Sequence, residues 1–523
     1  MKVHHDASRD HVEIELKLLF DPADEDALCK HSLLEKYAIE KPHLQELESI
    51  YFDTPDFHLR RQKASLRVRK TGSGWRQTLK GGGKVEAGLH QHNEWESDVN
   101  GPALDLAVLR EMAGPASEWG KLLDAPALTE RLAPVFATRV TRAVWNLRLP
   151  EGDDIEFAVD RGTIECGTVS EPISEIELEL KSGEPSRLFR YALQLLDTVP
   201  LRIGNLNKAV RGYALRVPQE LPIVKAAALA LSGDMSIEHA FQIIAANCNA
   251  QIQGNEIGVL HGNDPESVHQ MRVGVRRLRS ALRLFGGVIQ VPAQIREELG
   301  WLAAELGAVR DWEVLADFTL TSIVTASDEA SGIDRLKSTA AAVAHDKREQ
   351  AAVALRSPRY TRLMLTLSHW LLGAGWRDGI DASKHKELDA PVQAFAGNML
   401  KHDHRRLRKR GRKLRGADAA KRHRMRIAAK KLRYATEFFQ SLYPPRRVKR
   451  YVKSLARMQD ELGRLNDAAV AQGLLPELKE LHPELASDIE FARGYLACVS
   501  DSEARSLYVR WKRFKLIKAP YQA

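Results

Sequence analysis

Cysteine is scarce in this 523-residue chain, with four residues at positions 29, 166, 248 and 498. None forms a CxxC pair, so neither a zinc ribbon nor a disulfide framework organises the fold. Long apolar runs are missing as well. Nothing approaches the ~20 residues of a membrane-spanning helix, and no membrane association is expected. The opening MKVHHDASRD lacks the apolar stretch of a secretory signal, so a cytoplasmic location is expected. Aromatic residues make up only 7%. They do not interleave with the basic positions, which counts against stacking on nucleic-acid bases, and no helix-turn-helix, RNA-recognition or zinc-finger pattern occurs. Neither sign of charge dominates: the net charge of +9 is modest for this length, so its distribution matters more than its size.

What is present suits soluble globular domains, with 44% hydrophobic and 28% charged residues, and the length calls for more than one of them. The first ~215 residues carry strand-like pieces with period-2 alternation. They are VEIELKLLF, ESIYFDT, ASLRVRK, GWRQTLK, NEWESDV, RAVWNLRL, DIEFAVDRGTI and SEIELELK, separated by turn-forming clusters such as TGSG (71–74), GGG (81–83) and PEGDD (150–154). Helical stretches intervene at 24–38 and 185–199. The alternate faces are charged in an ordered way. Glu13, Glu15 and Lys17 share a face, as do Arg67 and Arg69, then Arg76, Thr78 and Lys80, then Glu94 and Glu96, and finally Glu175, Glu177, Glu179 and Lys181. Turned outward, these would be solvated faces paired across strands. Turned inward, they would line a barrel or strongly curved sheet with a polar interior. Carboxylates there could hold Mg²⁺ or Mn²⁺, and arginine forks and lysine point charges could neutralise phosphates. Hydrolysis would then need a metal and a positioned water.

The motifs EIELK (13–17), YFDT (51–54), LRVR (66–69), QTLK (77–80) and EIELEL (175–180), in this order, resemble the CYTH domain of the triphosphate tunnel metalloenzymes. NKAVRGY (207–213) resembles the closing motif of the bacterial inorganic triphosphatase branch. The resemblance implies an eight-stranded antiparallel tunnel with flanking helices over residues 8–216. It implies Glu13, Glu15, Glu177 and Glu179 as metal ligands, with Glu175 and Glu177 as an alternative register for the second pair. Lys17, Arg67, Arg69 and Lys80 become phosphate ligands of the catalytic site. Asp160 is placed to bind metal or orient water, and Lys208 and Arg211 to close one mouth. Arg139 or Arg142 would supply another substrate contact, with Arg142 preferred.

Beyond a change of character near 217–234 the chain turns Ala-, Leu- and Arg-rich with helical periodicity. An internal repeat lies here. HQMRVGVRRLR at 269 recurs as HRMRIAAKKLR at 423, and LGAVRD at 306 recurs as LGRLND at 462, at nearly the same offset. In the first copy His269, Arg272, Arg276, Arg279 and Arg283 form one helical stripe, beside an apolar stripe of Met271, Val275, Leu278, Leu282 and Phe285. The second copy repeats this with His423, Arg426, Lys430 and Arg433, beside Met425, Ala429 and Leu432. Like charges at i,i+4 destabilise a helix, and a bound polyanion would offset that cost. A third segment, KHDHRRLRKRGRKLR (401–415), is denser still.

These two helices resemble the CHAD domain, an all-α module. The resemblance implies, over residues 230–516, two pseudo-symmetric helical bundles around a basic groove that binds inorganic polyphosphate. It makes ligand contacts of His269, Arg272, Arg276, Arg279, His423, Arg426, Lys430 and Arg433. Asn466 stands where the first copy has Arg310, so the second half is expected to lack one cation. The fold class is therefore α+β. The expected activity is metal-dependent hydrolysis of tripolyphosphate to pyrophosphate and phosphate, with polyphosphate but not nucleic acid as partner, and with polyphosphate granules as a place of association. Hydrolysis of thiamine triphosphate, cyclisation of ATP by the same tunnel, and non-enzymatic polyphosphate binding are the competing readings.

Overall fold

The computed structural model describes residues 12–72, 74–125, 128–217, 221–324 and 330–521. The opening decapeptide, Ser73 of the TGSG turn and Pro218–Glu220 at the change of character lie outside the described residues. The chain divides into two compact units. One contains residues up to 220 together with Arg356–Gly373, and the other contains Leu221–Leu355 and Ala374 onward. The helix Pro358–Leu372 therefore belongs with the N-terminal unit. Arg362 pairs with Asp197 at 2.9 Å, and His369 Nδ1 meets the Ser186 carbonyl at 2.8 Å.

Strands β1 (Val12–Phe20), β2 (His43–Asp53), β3 (Ala64–Thr71), β4 (Gly74–Glu86), β5 (Leu89–Val99), β6 (Ala133–Arg148), β7 (Asp154–Cys166) and β8 (Val169–Ser182) form a closed antiparallel barrel. Closure rests on β1, which pairs with β5 through Val12–Leu16 and with β8 through Glu15–Leu19. The short β9 (Leu201–Ile203) extends β1 at its far end. The glycines 81–83 do not end a strand, as their composition implies. They form an irregularity within β4, with Gly82 and Gly83 at positive φ, and the strand runs on to Glu86. The β4–β5 turn is instead Ala87–Gly88, with both residues at positive φ as a tight hairpin turn requires. The Gly88 carbonyl accepts from Lys17 N at 2.8 Å, and a Cβ on Gly88 would lie 2.6 Å from the Lys17 carbonyl, so only glycine lets this turn close against β1.

The central lumen of the barrel is polar, and apolar clusters pack outside it and across one end. Leu66, Leu79 and Trp95 on one flank pack under Leu106, Leu109, Trp119 and Leu123 from two short helices. At one end of the lumen the inward-facing Leu47, Phe136, Val140 and Ile164 meet Ala209 and Tyr213 of the helix Lys208–Arg216. Gly212 seats that helix on β6, since a Cβ there would fall 2.2 Å from the Phe136 ring. Period-2 alternation sends Leu66, Leu79 and Trp95 outward to the two short helices and Arg67, Thr78, Lys80, Glu94 and Glu96 into the lumen. The stretch 24–38 forms two short helices, Glu25–Cys29 and Ser32–Tyr37, because the His31 side chain caps the second.

After a non-helical stretch at Leu221–Ser236, the described residues of the second unit are mainly helical. Its repeat copies are the helices Pro265–Leu284 and Ala419–Phe438. Each begins at an aspartate, Asp264 or Asp418, whose carboxylate accepts from a first-turn N–H. Met271, Val275, Leu278, Met425, Ala429 and Leu432 are all fully buried, so the apolar stripe fixes the rotation of each helix and with it the basic stripe.

Candidate functional site

The barrel encloses a cavity of about 310 Å³, with walls of alternating acids and bases. Glu13, Glu15, Glu94, Glu96, Glu156, Glu177 and Glu179 face Lys17, Arg67, Arg69, Arg76, Lys80, Arg142, Lys181 and Lys208 across it. Charges this deeply placed require partners. Lys17 Nζ lies 2.9 Å from Glu15 and also pairs with Glu177. Lys80 pairs with Glu13 and lies 3.2 Å from Glu94. Arg142 holds Asp160 in a two-pronged bond, both contacts at 2.7 Å, and reaches Glu177. Lys208 sits in a cage of Asp160 (2.7 Å), Glu177 (2.9 Å) and Glu175.

Burial by itself would lower the Lys17 and Lys208 ammonium groups, but the surrounding carboxylates hold both above the ordinary lysine value. Burial likewise pushes Glu94 up to about 8, and neighbouring Glu13 adds to the effect. Burial would raise Asp160 too, yet Arg142 and Lys208 keep it below the usual carboxylate range.

Arg69 stands apart. Its Nε donates to the Ser49 hydroxyl at 3.0 Å, and among the described residues no carboxylate pairs with it. Burial, then Arg67 and Arg142, push this guanidinium down to about 10. A cation left facing other cations in a polar cavity is a receptor for an anion.

The motif residues occupy distinct places. Glu175, Glu177 and Glu179 all face inward: Glu175 sits with Lys208 and Arg211 (3.0 Å), Glu177 at the centre, and Glu179 beside Lys181 (2.7 Å). Arg142 is inside, whereas Arg139 is on the outer surface with Glu48 and Glu165. Asp53 of YFDT is structural. Its buried carboxylate accepts from the Thr54, Leu59 and Arg60 amides and from the Tyr213 hydroxyl at 2.8 Å. Reasoning from sequence did not single out His90 and His92, because β5 begins four residues before NEWESDV and the pair lies in the added stretch. Burial drives the His90 imidazole down to about 3.

In the helical unit the two repeat helices bring Arg272, Arg276, Arg426 and Lys430 into one electrostatic cluster. Its pseudo-symmetry is visible in two long pairs, Arg272 with Asp311 (3.6 Å) and Arg426 with Asp467 (3.9 Å). Among the described residues, the buried Nε atoms of Arg276 and Arg426 have no hydrogen-bond partner. Burial, then Arg276, Arg426 and Arg272, push Lys430 down to about 6. His269 lies in the field of Arg310, while His423 Nδ1 meets Asn466 Oδ1 at 3.1 Å, so the Arg310/Asn466 difference falls beside the histidines. The other stripe members differ: Arg279 is exposed beside a separate surface cavity, and Arg433 bonds Glu437 (2.6 Å) and Gln459 (3.1 Å). Asp403 neutralises Arg283 at 2.8 Å from the helix that carries the third basic segment.

Residues 11–213 match the CYTH domain and residues 243–476 the CHAD domain. An inorganic triphosphatase of Haemophilus influenzae is 34% identical over 209 residues, 40% of this chain; the chain spans little more than half of that relative, 56% of its length. An uncharacterized protein of Mycobacterium tuberculosis is 26% identical over 446 residues, 76% of each chain. The solved CHAD domain of the plant Ricinus communis is 42% identical with a TM-score of 0.52, covering 58% of this chain and 99% of that one. The chain accordingly belongs to the CHAD family, and it carries a CYTH domain, built as a closed eight-stranded barrel, ahead of its CHAD domain.

Proposed function

We propose that the barrel hydrolyses inorganic triphosphate to pyrophosphate and phosphate with Mg²⁺ or Mn²⁺, and that the helical domain binds inorganic polyphosphate. The observation that carries the first part is Arg69, a buried-cavity guanidinium with no carboxylate partner among the described residues, flanked by Arg67 and Arg142. A triphosphate supplies the anion this ring lacks. The inorganic triphosphatase activity named for the Haemophilus relative supports the same reading.

The donor set fits a hard divalent cation, since Glu13, Glu15, Glu177 and Glu179 offer only oxygen and line one cavity. When bound there, Mg²⁺ or Mn²⁺ supplies charge neutralisation and polarisation of the phosphoryl oxygens. The chain's own groups do the rest. Arg67, Arg69, Lys80 and Lys17 bind phosphate oxygens, exchanging carboxylate partners for phosphate ones, and stabilise the charge that gathers on the transferred phosphoryl group. Asp160, held at both oxygens by Arg142, fixes the orientation of that arginine toward the substrate. Water attacks the terminal phosphorus, the bridging P–O bond breaks, and pyrophosphate leaves with that oxygen. Lys208 and Arg211 hold one mouth closed through Glu175.

In the helical domain the cluster of Arg272, Arg276, Arg426 and Lys430 supports a ligand made of phosphate and little else, since its members crowd one another without enough acids to balance them. Phosphate release from tripolyphosphate, ATP and thiamine triphosphate, each with Mg²⁺, Mn²⁺ or EDTA, tests the first part. Metal-dependent release strongest with tripolyphosphate is expected, and equal or greater release from an organic triphosphate would reassign the substrate. Polyphosphate binding that Arg276→Ala plus Arg426→Ala leaves intact would overturn the second part.

A further inference from the structure

Two groups of potential ligands occur among the described residues, and they differ in kind. Asp160, Glu175 and Glu177 cluster within 4.8 Å, but Lys208 Nζ already sits among them and serves as their cation. The second group is Glu15, His90 and His92, with one carboxylate oxygen and one nitrogen of each ring all within 4.8 Å of one another.

The seam between β1 and β5 builds this group. Glu15 pairs in register with His90, and Glu13 with His92, so all four side chains leave the same face of the sheet. His90 is completely buried. Its Nε2 lies 2.8 Å from the Gly204 carbonyl, and Nδ1 of His92 lies 3.2 Å from the Gly82 carbonyl. A carbonyl oxygen only accepts, so each of these nitrogens carries the proton. The opposite nitrogens, Nδ1 of His90 and Nε2 of His92, are therefore lone-pair donors, and both are buried without a hydrogen-bond partner. Imidazoles whose second nitrogen is anchored on a backbone carbonyl are oriented as metal-ligating histidines are. Leaving two such nitrogens buried and unpaired is unfavourable unless something binds them.

We infer that Glu15, His90 and His92 form a second metal site, for a first-row transition ion such as Zn²⁺ or Co²⁺. Two imidazoles and one carboxylate are a donor set that those ions favour and Mg²⁺ does not. Lys17 shares Glu15 at 2.9 Å but also pairs with Glu177, which keeps it in place when Glu15 turns to the metal. Glu15 and His92 both line the barrel cavity, so the group is accessible from the lumen.

Glu15 belongs both to this group and to the all-oxygen set proposed above, so its carboxylate would be shared by two ions. The test therefore uses the full chain in excess Mg²⁺ to fill the oxygen-only ligands. Equilibrium dialysis and visible absorption of added Co²⁺ are expected to show one retained ion with d–d bands. His90→Gln and His92→Gln should each weaken retention by more than the roughly 10–100-fold that changes outside the ligand shell cost. Glu179→Gln should retain the ion, and circular dichroism checks that each variant is folded. In the metal-free protein, ¹⁵N spectra of the imidazoles should show His90 protonated at Nε2 and His92 at Nδ1, and Zn²⁺ should shift the other nitrogens. No retained Co²⁺, or retention equal in folded histidine variants, would overturn the inference. Triphosphate hydrolysis with Mg²⁺ on the same wild-type sample distinguishes absence of this site from absence of the proposed activity.

Discussion

Lys17 on β1 lies directly across from Glu177 on β8, and their side chains join at the strand pair that closes the barrel. Glu177 also holds Arg142 and Lys208. One carboxylate thus pairs with three buried cations, each of which also contacts a further carboxylate. Glu177→Gln should cost about 3–5 kcal/mol of stability, the usual result of leaving buried charge uncompensated. Urea unfolding with and without saturating tripolyphosphate checks this. The ligand should restore part of the loss, because its phosphates replace the missing charge.

Arg69 makes the opposite prediction. It has no carboxylate partner among the described residues, and Arg67 and Arg142 repel it. Arg69→Met should leave the melting temperature unchanged or raise it. Triphosphate affinity should fall by about 10–100-fold, equivalent to one charge-assisted hydrogen bond of roughly 1.5–3 kcal/mol. Calorimetric titration with a non-hydrolysed triphosphate analogue separates the two effects.

Glu94 sets a pH dependence on metal binding. Burial and Glu13 raise it to about 8, so near neutral pH it retains a proton that an incoming cation must expel. Mn²⁺ affinity should rise with pH up to about 8 and level off above it. Paramagnetic titration of Mn²⁺ between acid and alkaline pH measures the curve, and Glu94→Gln should flatten it.

Lys430 sets the reverse dependence in the helical domain. Burial and three arginines hold it at about 6, against about 10.4 for an ordinary lysine. Between these values the unfolded chain binds a proton that the folded domain does not, so stability rises with pH across that window and is lowest at its acid end. A polyanion favours the charged form, so polyphosphate binding near neutral pH should take up a proton and tighten as pH falls toward about 6. Calorimetry in two buffers of different ionisation enthalpy counts the proton. Lys430→Met should abolish the uptake, weaken binding and stabilise the domain at neutral pH.

Much of this was legible in the chain. The ordered motifs marked the strands, and the repeated HxMR helices marked the second domain, because period 2 and period 3.6 are local properties of a sequence. The strand ends were less visible: β5 starts at Leu89, where only the Ala87–Gly88 turn and its fit against β1 define the boundary. His90 and His92 were missed for that reason.

Residue order alone decides which side chains share a face: Glu13 with Glu15, Glu175 with Glu177 and Glu179, and Arg272 with Arg276. It does not decide which face turns inward, since alternation is symmetric until the barrel closes and helices cover one side. Closure put Arg142 inside and Arg139 outside, three residues apart on β6. It turned all three of Glu175, Glu177 and Glu179 to the lumen and left Arg69 without a carboxylate partner among the described residues. Distances between strands far apart in the chain set those outcomes, and no local pattern encodes them.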